Sequence, residues 1–169
     1  MKRNISEADI AEDFLNRRDA LPVMGTFVRT ITRANGEVDR KILPNIVTAT
    51  GLNNLANRAI ADTASKYGWI AIGTANYTPH INSQTILECD RKAAAIIGNS
   101  YELIVAIATW GGAADSVTSN ALEMAGICNH QTSGSGHFLN IANGLSTVLA
   151  DSDFLHLEVQ VQVGSHAIP

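Results

Sequence analysis

The chain has 169 residues, 46% of them hydrophobic and 17% charged, with a formal net charge of -4. That length and apolar content suit one domain with a proper core. No run of Lys and Arg offers nucleic acid a basic face, and no stretch reaches the ~20 apolar residues of a bilayer-spanning helix, so neither nucleic acid nor membrane is expected as a partner.

The chain opens on Lys2 and Arg3 and then turns acidic through Glu7, Asp9, Glu12 and Asp13, without the apolar core of a signal peptide. Synthesis in the cytoplasm is therefore expected. Ser6 followed by Asp9 resembles a capping box with aspartate in the usual Glu position, and Ile5 and Ile10 stand at the spacing of a hydrophobic staple. A helix is predicted from Ser6 to Arg17, with Ile10, Phe14 and Leu15 on one stripe and Glu7, Asp13 and Arg17 facing away. It ends before Leu21 and Pro22. Residues 1–20 thus read as a helical arm that needs a partner surface, with Ile5, Ile10, Phe14 and Leu15 as candidate contacts.

From Gly25 the pattern becomes β-rich, Thr26 to Arg33 and then Val38 to Leu43, joined by Asn35 and Gly36, which tolerate the positive φ of a tight turn. Pro44 closes this hairpin. After Asn45 to Thr48, helical spacing of Leu52, Leu55, Ala56, Ala59 and Ile60 predicts a core-packed helix from Gly51 to about Lys66. Trp69 to Ile72 reads as a short strand stopped by Gly73, and Thr74 to Gln84 as an exposed loop. Further strands are expected near Arg91–Ile97, Glu102–Trp110, Leu122–Asn129 and His137–Ile141. In the final one, Phe154–Val163, apolar residues alternate strictly with His156, Glu158, Gln160 and Gln162, predicting an antiparallel strand with one wet face. Residues 21–169 therefore read as a mainly β domain, an antiparallel, jelly-roll-like sandwich carrying one core-packed helix.

The residues that could carry chemistry offer little. His80, His130, His137, His156 and His166 form no helical metal-binding pattern. Cys128 and His130 project to one side of a strand, with His137 returning on the next, but the simpler reading is a turn whose histidines face solvent. Cys89 and Cys128 read as reduced thiols in apolar strands. Ser116–Ser119 and Ser133–Ser135 lack the strand-to-helix elbow of a nucleophile. Glu88 with Asp90, and Asp151 with Asp153, read as acids kept for solvation at strand positions and turns. The basic pairs Lys2–Arg3, Arg17–Arg18 and Arg91–Lys92 read as solvated edges. Gly73, Gly111, Gly112 and Gly126 fit no phosphate-binding spacing and read as strand ends and bends. Aromatics make up 5% of the chain and suit core packing, Tyr77 excepted. No cofactor, no metal and no catalytic residue is expected.

Several segments taken in order resemble small structural proteins of tailed phages, of the head-decoration or tail-fibre-like kind. They are the hairpin through Asn35, Gly36 and Glu37; Asn45 to Thr48 leading into Gly51, Leu52, Leu55 and Ala56; and Ile70 to Ala75 followed by Pro79 and Thr85 to Leu87. They continue with Arg91 to Ala93, Glu123 to Ile127, and Asp151 to Asp153 before the last strand. The chain departs from the pattern at Asn76 and Tyr77, where small residues are common, and in lacking a basic residue before the last strand. The resemblance implies a non-enzymatic virion protein. Because the module fills the whole chain, a capsid decoration or cement protein on the head surface is expected. Its partners would be the major capsid protein and copies of itself, as a dimer or trimer. The alternatives are a tail-associated or attachment role and a glycan-binding module built on Tyr77.

Overall fold

The computed structural model describes residues 23–61, 66–75, 77–82, 86–99, 103–118 and 120–163. The expected arm of residues 1–20, with Ile5, Ile10, Phe14 and Leu15, lies outside them. Among the described residues ten strands form two antiparallel five-stranded sheets with one helix, a β-sandwich.

The strands are β1 (Val23–Thr32), β2 (Val38–Leu43), β3 (Asn45–Val47), β4 (Trp69–Gly73), β5 (Glu88–Ala93), β6 (Ala95–Asn99), β7 (Leu103–Gly111), β8 (Leu122–Cys128), β9 (Phe138–Thr147) and β10 (Phe154–Val163). Sheet A has the order β2-β1-β10-β7-β6, and sheet B the order β3-β9-β8-β4-β5. The pairs β1–β10, β3–β9, β4–β8 and β6–β7 nest inside one another in sequence, as in an antiparallel ribbon folded back on itself. The outermost and innermost pairs share sheet A, and the middle two share sheet B.

The β1–β2 hairpin forms as its turn residues dictate. Gly36 sits at φ 85°, the Asn35 side chain accepts from the Glu37 amide at 2.9 Å, and Arg33 accepts from the Gly36 amide at 2.9 Å. In β10 the predicted alternation is realised: Leu155, Leu157, Val159 and Val161 are buried. They meet Phe27, Ile31, Ala106, Ala108 and Trp110 of sheet A, with Ile70, Ile72, Ile127, Leu139 and Leu145 entering from sheet B.

Two stretches of chain change sheets with one residue between strands. Pro44 separates β2 in sheet A from β3 in sheet B, and Ala94 separates β5 in sheet B from β6 in sheet A. The single strand expected over Arg91–Ile97 is therefore two, because the chain bends at Ala94, whose amide donates to the Gly68 carbonyl at 2.8 Å. The strand expected over His137–Ile141 runs on to Thr147. Its second half follows an irregular register, in which Leu122 pairs with Thr147 but Met124 with Asn143, and a bulge carries Gly144 and Ser146 at positive φ.

Helix α1 (Ala49–Ala61) starts two residues before the expected Gly51, because Thr48 caps it. The Thr48 hydroxyl accepts from the Gly51 amide at 2.9 Å and donates to the Phe138 carbonyl at 2.5 Å, which ties the helix start to β9. Gly51 lies directly on that strand: a Cβ there would stand 2.6 Å from the Leu139 Cα. Leu55 then reaches the inter-sheet core.

Candidate functional site

The two outer faces of the sandwich are unlike. On sheet B a second apolar cluster, Ala71, Ile86, Met124, Cys128, Phe138 and Ile141, with Trp69 and Ala75 against it, covers the outer surface. Its floor is Gly126, where a Cβ would come within 2.4 Å of the Phe138 ring. Gly126 is thus a seat for an aromatic ring within β8 and not the expected strand end or bend.

Arg91 crosses the same face. Its guanidinium lies 5.7 Å from the centre of the Phe138 ring and pairs with both carboxylate oxygens of Glu88. It also donates to the carbonyls of His130 at 2.5 Å and Ser135 at 3.1 Å, while Glu88 accepts from the Gly134 amide at 3.3 Å. The side chains of Arg91 and Glu88 are 2% and 5% exposed. The expectation that Arg91–Lys92 is a solvated edge and Glu88 a solvated acid is therefore corrected: this ion pair pins the β8–β9 loop to the sheet. Lys92 is likewise engaged, with the Thr109 carbonyl at 2.8 Å, Asp115 at 2.7 Å and the Trp110 ring at 5.9 Å. Asp90 accepts from Trp110 Nε1 at 2.7 Å and so serves the core.

Three cations of the β1–β2 hairpin, the buried Arg29 and the more exposed Arg33 and Lys41, reach carbonyls at or just after the bulge of β9. Arg29, 5% exposed, donates to the Leu145 carbonyl at 2.6 Å and pairs with Asp39. Lys41 donates to the Gly144 carbonyl at 3.2 Å, and Arg33 to the Val148 carbonyl at 3.0 Å. Arg33 also binds Asp153 at 2.6 Å. Asp153 further accepts from the amides of Ala150 at 2.9 Å and Ala34 at 3.1 Å, and is 3% exposed. These bonds, the Ala150 amide first, hold its carboxyl below the usual carboxylate range. Asp153 is thus a buried tie between turns and not the solvating acid expected of it.

Cys128 is buried and Cys89 half-buried, both free as expected. Burial pushes the Cys128 thiol up to about 11. His130 and His137 are exposed, and His130 Nδ1 accepts from the Thr132 amide at 3.0 Å. Among the described residues no group of His, Cys, Asp and Glu could hold a metal ion. Tyr77 lies in the loop after β4, 36% exposed, with its carbonyl accepting from Asn143 Nδ2 at 3.4 Å.

A groove of about 470 Å³ opens between the start of β1 and β3, with Leu103, Gln160 and Gln162 on its wall. β2 leaves sheet A at Leu43, so among the described residues Val23 to Thr26 of β1 have no neighbour on that side within the sheet. Behind the groove the Asn140 and Asn45 amides crowd Gly25, where a Cβ would fall 1.9 Å and 2.6 Å from their nitrogens. Asn140 is wholly buried, and among the described residues neither of its amide atoms has a hydrogen-bond partner. All the polar side chains lining this groove are neutral hydroxyls and amides.

The outer face of sheet A follows from the register. Val28 stands beside Ile42 and Glu158, Thr30 beside Arg40 and His156, and Thr32 beside Val38 and Phe154, with Ile107, Thr109 and Gly111 on the next strand. Ile42 is 70% exposed and Val38 60%, and Phe154 and Met24 are exposed as well. Among the described residues no apolar cluster forms over this face. This face is not legible in β10 alone, whose outward positions after Phe154 are polar. The alternate residues of β2, Val38 and Ile42 around Arg40, were the available signal.

No family model, no curated protein and no solved structure matches the chain.

Proposed function

We propose that the chain is a structural protein of a phage particle, a decoration or cement protein that sits on the head surface between capsomers. Its partners in this reading are the major capsid protein and copies of itself. The observation that carries the reading is the inequality of the two outer faces. Sheet B is sealed by the chain's own apolar cluster, whereas sheet A presents Met24, Val38, Ile42 and Phe154 around few charges. An apolar face of that kind is what an assembly interface requires. The ordered resemblance of segments from Gly25 to Val163 to phage structural proteins supports the same reading. A cement protein gains its effect by touching several subunits at once, so modest contacts add to tight attachment.

Co-sedimentation of the purified chain with assembled shells tests this. Binding to shells and not to free capsid subunits is expected, with labelled protein spread over the head by electron microscopy. Absence from particles would sink the reading, and confinement to one vertex would move it to the tail. Deletion of residues 1–20 is expected to weaken shell binding, and unchanged binding would exclude the arm as the clamp.

A further inference from the structure

We infer that the outer face of sheet A is the surface on which two copies of this chain meet, face to face about a two-fold axis. The inference rests on the self-association in the reading above and names the surface responsible.

Size comes first. Five strands spaced ~4.8 Å apart and six to ten residues long make a face of roughly 600 Å². Two such faces bury about 1,200 Å², the lower bound of a specific interface. The exposed apolar side chains of the face are spread over three strands: Ile42 and Val38 on β2, Met24 on β1, and Phe154 on β10.

Charge chooses the partner. The described charged side chains that the register places on this face are Arg40 and Glu158, joined by the titratable His156, which shares a hydrogen bond with Thr109 at 2.9 Å. Arg40 and Glu158 are separated by two strands and two residues, about 10 Å across the strands and about 7 Å along them. In face-to-face packing, a two-fold axis in the plane of the interface lays each point over its mirror position in the partner. An axis bisecting the line from Glu158 to Arg40 passes over β1 near Val28 and Thr30, neither of them charged. It sets Glu158 of each copy against Arg40 of the other. The other polar positions of β1 and β10 on this face, Thr26, Thr30, Thr32, Gln160 and Gln162, are uncharged, so about this axis the face is complementary to itself.

Sedimentation equilibrium of the full chain tests the inference. A dimer is expected at micromolar concentrations. Arg40→Glu and Glu158→Arg should each weaken it by about tenfold or more, since each opposes like charges. The double variant should recover most of the loss. Circular dichroism and thermal melting of the single variants separate interface loss from misfolding, and Ile42→Ser offers an uncharged check with the same expected direction. A monomer at ~100 μM, a trimer, or a dimer indifferent to both reversals would overturn the inference. Shell binding that survives in a monomeric variant would leave the particle role standing, so the two readings fail separately.

Discussion

The indole Nε1 of Trp110 donates to Oδ2 of Asp90 at 2.7 Å, a bond that joins β7 in one sheet to β5 in the other. Trp110 is wholly buried, so its single N–H has this carboxylate in place of water.

Asp90→Ala is expected to cost about 1–3 kcal/mol, the desolvation penalty of a buried donor left unpaired. Asp90→Asn retains an acceptor and should cost less. Urea unfolding followed by Trp fluorescence measures both, and equal losses would show that charge, not the hydrogen bond, matters at this position.

Arg91→Met is expected to cost about 3–5 kcal/mol, because it strands the buried Glu88 carboxylate. Adding Glu88→Gln should recover part of that loss. The loop held by Arg91 should also loosen, seen as faster hydrogen exchange at the Gly134 amide, which now reaches Glu88.

The lowered Asp153 carboxyl makes stability pH-dependent in a defined direction. Its contribution is complete above the unfolded value of about 3.9 and is lost as pH falls through the lower folded value. Asp153→Asn should therefore be less stable than the parent at pH 7 and should lose less stability below about pH 4. Denaturant titrations between pH 2 and 7 give both slopes, and parallel curves would remove Asp153 from the account.

Cys128 gives the opposite sign. Its thiol is held neutral up to about 11 in the folded chain, while the unfolded thiol ionises near 8.5. Stability should fall as pH rises between those values, and less so in Cys128→Ala. At neutral pH, alkylation should reach the half-buried Cys89 well before Cys128, as peptide mapping of the labelled protein would show.

Strand content was legible in the sequence wherever a period of two survived, as in β10, and wherever turn residues announced a hairpin, as at Asn35 and Gly36. The bend at Ala94 was not, because nothing in the run from Glu88 to Asn99 marks a change of sheet: no Gly or Pro stands at the break. The acids and bases misled for a related reason. Glu88, Asp90, Arg91 and Asp153 look like surface residues by type, and only partners distant in sequence, such as Trp110, Ser135 and Arg33, make their burial affordable. The exposed apolar side chains on the outside of sheet A required both the strand order and the register, since they come from β2, β1 and β10 together.

The bends at Pro44 and Ala94 bear on how such a chain tolerates crowding. Each outermost strand runs for at most six residues before the backbone turns away, and β6 is further interrupted by an irregular register around Ile97. A neighbour therefore finds no long straight border on which to continue the ladder. Many copies can gather at high local density without strand-by-strand growth into fibres, and orderly contact is left to the broad surfaces of the sandwich.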